Sequence, residues 1–327
     1  MTNHIEMKII EYTHKERKVW DSFVEDSGNG TIFALQRFFD YHPKTKFNHR
    51  HLMFYKQKEL VAVFPSAEVI RDGTKTLISH PGASFGGFIL GNGTGISDAI
   101  SLVDALINYA KDSDFGKIIL TRPPWIYYKS PEDHIDFSLF NAGAKHIKRE
   151  LTAVLQIKQD FDENLSLFRP TARTAMRKAQ KSGVTIRLTD DYEAFYRILK
   201  ENLSMRHNVA PTHSLEEILH LKKLLDEKIF LFGAYIAGKM IAGTIVFIFN
   251  DRAILAFYIS QDYEHQNIRP LNLLFAELIK WAVEKGFHWL DFGTYTLDNV
   301  PNLGLARFKE SLGATGIFRD TFQVELT

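Results

Sequence analysis

Residues 253–293 read as strand, loop, helix, strand, and this order constrains the chain more than any other stretch. Residues 253–260 are an apolar run rich in β-branched and aromatic side chains, of strand length, after the turn signal Asn250-Asp251. A polar loop, 261–269, follows. Leu271, Leu274, Phe275, Leu278, Ile279 and Ala282 then recur at three- and four-residue steps, which predicts a helix with one apolar face. Pro270 suits the first turn, where a missing N–H costs nothing, and Gly286 marks the end. Residues 288–292 supply the next strand. Such a unit aims the positive end of its helix beyond the carboxyl end of the first strand, where an anionic group is favoured.

The chain has 327 residues, enough for two domains, and its 26 Phe within 45% hydrophobic content can fill two cores. A net charge of +1 excludes a wholesale nucleic-acid coat, so no DNA partner is expected, while a local basic patch stays open. Cysteine is absent, which removes thiolate catalysis, disulfides and cysteine-ligated zinc and fits a reducing, cytoplasmic location. Residues 1–11 carry charges without a long apolar run, so no signal peptide is expected, and no stretch predicts a transmembrane segment.

The two halves share an element order. Gly143-Ala144, Ile147, Arg149 and Glu150 recur as Gly313-Ala314, Ile317, Arg319 and Asp320 at a constant offset, each set lying between a short helix and a closing strand. This echo predicts a duplication, with domains at 1–158 and 159–327. Hairpins are expected at 51–64 and 229–249, and helices at 96–110, 161–181 (broken at Pro170), 192–205 and 214–226.

The order helix, helix, hairpin, β, α, β, α, β resembles the GNAT acyltransferase fold. Two copies in tandem resemble the FemABX family of peptidoglycan aminoacyltransferases. Three passages carry the resemblance: the basic segment 173–184, with Arg173, Arg177, Lys178, Lys181 and Gly183; Asp291-Phe292-Gly293; and Phe308-Lys309 with Gly313-Ala314. The resemblance implies an α/β (α+β) fold of two GNAT-like domains, each a mixed central sheet flanked by helices. It implies an acyl- or aminoacyltransferase that binds no resident cofactor and takes its acyl group from aminoacyl-tRNA or acyl-CoA as co-substrate. The implied partners are an anionic or lipid-linked cell-wall precursor and charged tRNA. A CoA-binding GNAT domain usually has a glycine-containing loop before its helix, so that backbone N–H groups cradle a pyrophosphate; residues 266–270 contain none.

Arg173, Arg177 and Lys181 are four apart and stack on one helix face, where like charges repel unless an anion meets them. Guanidinium suits phosphate, and the alternative is a solvated face. Asp291 and Gly293 sit at a strand's carboxyl end, where open α/β sheets place ligands. Asp291 is a candidate to orient an attacking amine or take its proton, or else to cap a backbone turn. Lys309 is a candidate to stabilise an oxyanion, against an exposed surface lysine. Tyr258 is a candidate proton donor to a leaving group, against core packing. Arg269 and Asn272 flank the helix start and can hold an anion there or cap it. In the first domain, Arg37, near Lys44 and Lys46, and Ser84, near His80, are candidate substrate contacts.

Residues 82–86 match the hydrolase elbow G-x-S-x-G, but extended chain follows where a helix is required, so hydrolysis is not expected. His49-x-His51 has no carboxylate at ligand spacing, and no metal is expected. Two alternatives to the FemABX-like activity stay open: an acyl-CoA-dependent N-acyltransferase acting on a small amine or sugar, and a non-catalytic module that binds an anionic glycan or lipid precursor.

Overall fold

The computed structural model describes residues 6–207 and 210–326; residues 1–5 of the stretch read for a signal peptide lie outside the described residues. The chain divides into two compact units, Leu151–Ile317 and Met1–Glu150 with Phe318–Thr327. No helix among the described residues is long and apolar enough to cross a membrane.

In the unit 151–317 the strands run in the order Thr185–Thr189, Ile229–Ile236, Lys239–Ile248, Ala253–Gln261, Trp289–Thr294, and then the part of Lys145–Gln156 beyond residue 150. Neighbours pair antiparallel except Ala253–Gln261 with Trp289–Thr294, which are parallel. The parallel pair is joined by the helix Pro270–Glu284, as a crossover demands. Every apolar position assigned to that helix from its spacing is buried: Leu271, Leu274, Phe275, Leu278, Ile279 and Ala282. Its face meets Ala242, Val246, Ile254 and Ala256 in one core. Strand alternation sends Gly243 to the other side, where an added Cβ would stand 2.5 Å from the ring of Phe195 on the helix Tyr192–His207.

The segment read as one broken helix is two, Phe161–Leu167 and Pro170–Lys181. Pro170 starts the second, whose N-cap Arg169 is extended, because proline disfavours helical backbone in the residue before it.

The other unit holds an antiparallel sheet of Met7–Glu11, Leu52–Lys56, Glu59–Phe64 and Ile89–Leu90. A second set pairs Asn48–His49, Ala67–Arg71, Thr74–Ser79, Lys117–Thr121 and the later part of Thr315–Glu325. Phe54, Phe64, Leu77, Ile118 and Phe322 share its core with the helix Ile96–Asp112. Sequence order alone keeps residues 151–156 with the first copy and 318–325 with the second. The pairing exchanges them: Leu290 and Asp291 pair with Leu155 and Val154, and Thr321 pairs with Thr121.

Candidate functional site

The strand Ala253–Gln261 is paired along its whole length on one side and only briefly on the other. Its antiparallel register with Lys239–Ile248 runs from Ile254 to Gln261 but slips once: Ile245 faces Tyr258 and Val246 faces Ala256. Phe257 is the extra residue, a β-bulge, the device that bends a strand and re-aims its side chains. On the other side, parallel pairing covers only Ala253–Leu255 against Trp289–Asp291. Both strands continue, to Gln261 and Thr294. Beyond Leu255 and Asp291 they part, and the bulge sits where they part.

Asp291 and Lys309 organise that strand end. Asp291 is 3% exposed, and its Oδ1 accepts from the Thr152 hydroxyl at 2.5 Å and from the Gly293 N–H at 2.7 Å. Gly293 has φ +77°, a left-handed backbone that favours glycine, and it lies where the pairing with Lys145–Gln156 slips, Asp291 facing Val154 and Thr294 facing Thr152. Lys309, from the helix Leu303–Ser311, is 2% exposed, which excludes a surface lysine. Its Nζ donates to the carbonyls of Gly293 at 2.8 Å and Thr294 at 2.9 Å. The three residues taken from the sequence therefore form one cluster that fixes the backbone beside the open strand edge.

Tyr258 belongs to a different cluster. Its Oη accepts from the His213 N–H at 3.3 Å and lies 2.9 Å from His213 Nδ1, while Tyr196 donates to the His213 carbonyl at 3.2 Å. Burial pushes the Tyr258 hydroxyl's pKa up, so it stays protonated at neutral pH. His213 was not singled out in the sequence; its loop carried no pattern to mark it.

The basic helix Pro170–Lys181 turns Ala172 and Ala179 inward and leaves Arg177, Lys178 and Lys181 exposed, with no ion pair to these three among the described residues. Arg173 is half-buried and donates to the Ser166 carbonyl at 3.2 Å, and Arg169 pairs with Glu310 at 3.3 Å. This helix packs on the helix Pro270–Glu284 and on the 3-10 segment Tyr263–Ile268 before it. Arg269, at the junction of these two elements, is exposed and left-handed at φ +66°. Asn272, one turn in, is 7% exposed, and its N–H donates to the Arg269 carbonyl at 3.1 Å. Arg269 and the basic helix thus gather positive charge near one helix start.

Ser84 and Arg37 lie in the other unit. Ser84 is exposed on a turn with no helix after it, and Arg37 pairs with Glu25 at 3.1 Å. A glycine-rich loop escaped the sequence reading there: Gly91-Asn92-Gly93-Thr94-Gly95, between the strand Ile89–Leu90 and the helix Ile96–Asp112. Residues 91–94 line a cavity of about 340 Å³ with Asn29, Tyr128 and Lys129. The alternating glycines directly before a helical pattern were the available signal.

Residues 166–310 match the family described as "Acetyltransferase (GNAT) domain". No curated protein sequence matches this chain. Among solved structures the chain is similar to FemX, at TM-score 0.75 and 16% identity over 98% of this chain and 97% of that one. It is also similar to a tandem GNAT protein from the clavulanic acid biosynthesis pathway, at TM-score 0.57 and 11% identity over 98% and 99% of the two chains. A third likeness is to the C-terminal domain of a lysylphosphatidylglycerol synthetase from Agrobacterium fabrum, at TM-score 0.59 and 11% identity over 94% and 90%.

Proposed function

We propose, from the premise that this FemX-like chain with tandem GNAT domains carries its GNAT acyltransferase domain over residues 166–310, that it transfers an aminoacyl group from charged tRNA to an amine on a phosphate-bearing cell-wall precursor. The observation that carries this reading is the parted strand pair beyond Leu255 and Asp291, with the Phe257 bulge at its mouth. Backbone N–H groups freed there can steady the oxyanion of an acyl-transfer intermediate. Attack by an amine on an activated carbonyl needs positioning more than a protein nucleophile, which fits the absence of cysteine. Asp291 and Lys309 act as positioning residues, since both spend hydrogen bonds on the strand end. Arg177, Lys178 and Lys181 supply charge for phosphate. FemX and lysylphosphatidylglycerol synthetase as structural neighbours support an acyl-transfer reading.

The test is transfer of radiolabelled amino acid from a panel of charged tRNAs to a UDP-linked muropeptide. Label should appear in the acceptor with at least one tRNA; none across the panel overturns the proposal.

A second reading, transfer from acyl-CoA, is favoured by the loop 91–95, whose glycines permit the close backbone approach of a pyrophosphate cradle. It predicts a saturable rise in melting temperature with CoA. That rise should vanish when Gly93, at φ +81°, is replaced by valine.

A further inference from the structure

The strand Met7–Glu11 ends its four-stranded sheet. It pairs with Leu52–Lys56 on one side, and no strand among the described residues pairs with its other side. The Tyr12 N–H donates to the His51 carbonyl at 2.8 Å, one step beyond the facing pair Glu11 and Leu52. Hydrogen-bonded and non-bonded pairs alternate along an antiparallel ladder, so Ile10 and Lys8 also bond to the neighbouring strand. The backbone N–H and C=O groups of Met7, Ile9 and Glu11 therefore point to the open side, where nothing among the described residues bonds to them.

That edge opens on a groove of about 630 Å³. Met7 and Ile9 line it from the strand, while Asp104, Asn108 and Asp112 line it from the helix Ile96–Asp112. The helix residues are four apart and share one face. Glu6, Asp104 and Asp112 make the groove acidic, and among the described residues no lysine or arginine lines it. Lys8 and Ile10 project from the opposite face of the strand, because side chains alternate. Asp104 and Asp112 are two turns apart, about 12 Å along the helix, too far to share one metal ion.

A row of unbonded backbone donors and acceptors suits an extended chain, which adds to a sheet edge as a further strand. The acidic wall sets what such a chain carries. Side chains on one face of an extended peptide repeat about every 6.7 Å, so residues i and i+4 span about 13 Å. That spacing matches Asp104 and Asp112, with residue i+2 opposite Asn108. A second copy of this chain fits poorly, since a two-fold pairing of this edge would set one acidic wall against another.

We propose that the edge Met7–Glu11 is a docking site for an extended basic segment of a partner protein, which adds as a fifth strand and sets a lysine or arginine at positions i and i+4 against Asp104 and Asp112. The site belongs wholly to one compact unit and does not depend on the acyl-transfer reading.

The experiment offers the full chain a fluorescent nonapeptide of threonine and valine with lysine at its third and seventh positions. The same peptide with glutamate at both positions is the control. Anisotropy reads affinity, and amide hydrogen exchange reads the place. The lysine peptide should bind saturably and slow exchange at Met7, Ile9 and Glu11; the glutamate peptide should not. Asp104→Asn with Asp112→Asn should weaken the lysine peptide about tenfold, in a chain whose melting temperature and acyl transfer are retained. No saturable binding, equal binding of the two peptides, protection of other amides instead, or unchanged affinity in the double variant overturns the proposal. Protection of the same three amides without peptide, in a chain that sediments as a dimer, assigns the edge to a second copy and overturns it as well.

Discussion

Lys309 shows how a residue type can mislead about its own role. A lysine on a short helix reads as surface, yet this one is buried and bonded to the carbonyls of Gly293 and Thr294, at the slip in the strand pairing. Replacing it with methionine keeps the apolar stem and strands those carbonyls. Lys309→Met is expected to cost about 3 kcal/mol in chemical denaturation and to abolish transfer, because unsatisfied buried polar groups carry their full desolvation cost. Gly293→Ala meets no steric bar, with Lys309 Nζ 3.9 Å from the new Cβ. Its left-handed backbone alone should cost about 1 kcal/mol. His51 and His80 set a pH dependence. Burial holds both pKa values well below the ordinary 6.5, so the unfolded chain protonates first as pH falls. The stability they contribute is present in full above about pH 6.5 and is lost below it. Denaturation at pH 7.5 and 5.5 should show that loss, and His80→Gln should lessen it.

At the scale of elements, the sequence was informative wherever a pattern was local. The apolar spacing of residues 271–282 placed the helix Pro270–Glu284, and Pro170 placed the start of the basic helix. The Asp291, Gly293 and Lys309 cluster was legible as motifs but not as geometry, since nothing in the order of residues says that a lysine sixteen positions later returns to cap the strand. The Phe257 bulge was not legible at all. A bulge is a mismatch between two strands, and residues 253–260 look equally regular with or without it. The exchange of residues 151–156 and 318–325 was hidden for the same reason, because pairing partners lie far apart in sequence. The exposed cations of the basic helix carry their own expectation. Arg177→Ala with Lys181→Ala should leave the melting temperature unchanged, since neither has an ion pair among the described residues. It should weaken tRNA or precursor binding and flatten the dependence of binding on salt.

For the whole molecule, the account predicts that the GNAT domain at residues 166–310 supplies the parted strands for acyl transfer, and that an amine is the group acylated. The two donor readings differ in what arrives and in which residues would hold it, and both donors can be offered in parallel to the intact chain. The most direct measurement is the intact mass of a UDP-linked muropeptide after incubation with the protein and either charged tRNA or acetyl-CoA. The account predicts an amide-linked aminoacyl increment with tRNA as donor, lost in Lys309→Met and reduced in the Arg177→Ala, Lys181→Ala chain. An acceptor of unchanged mass with both donors, from protein shown to be folded, contradicts it.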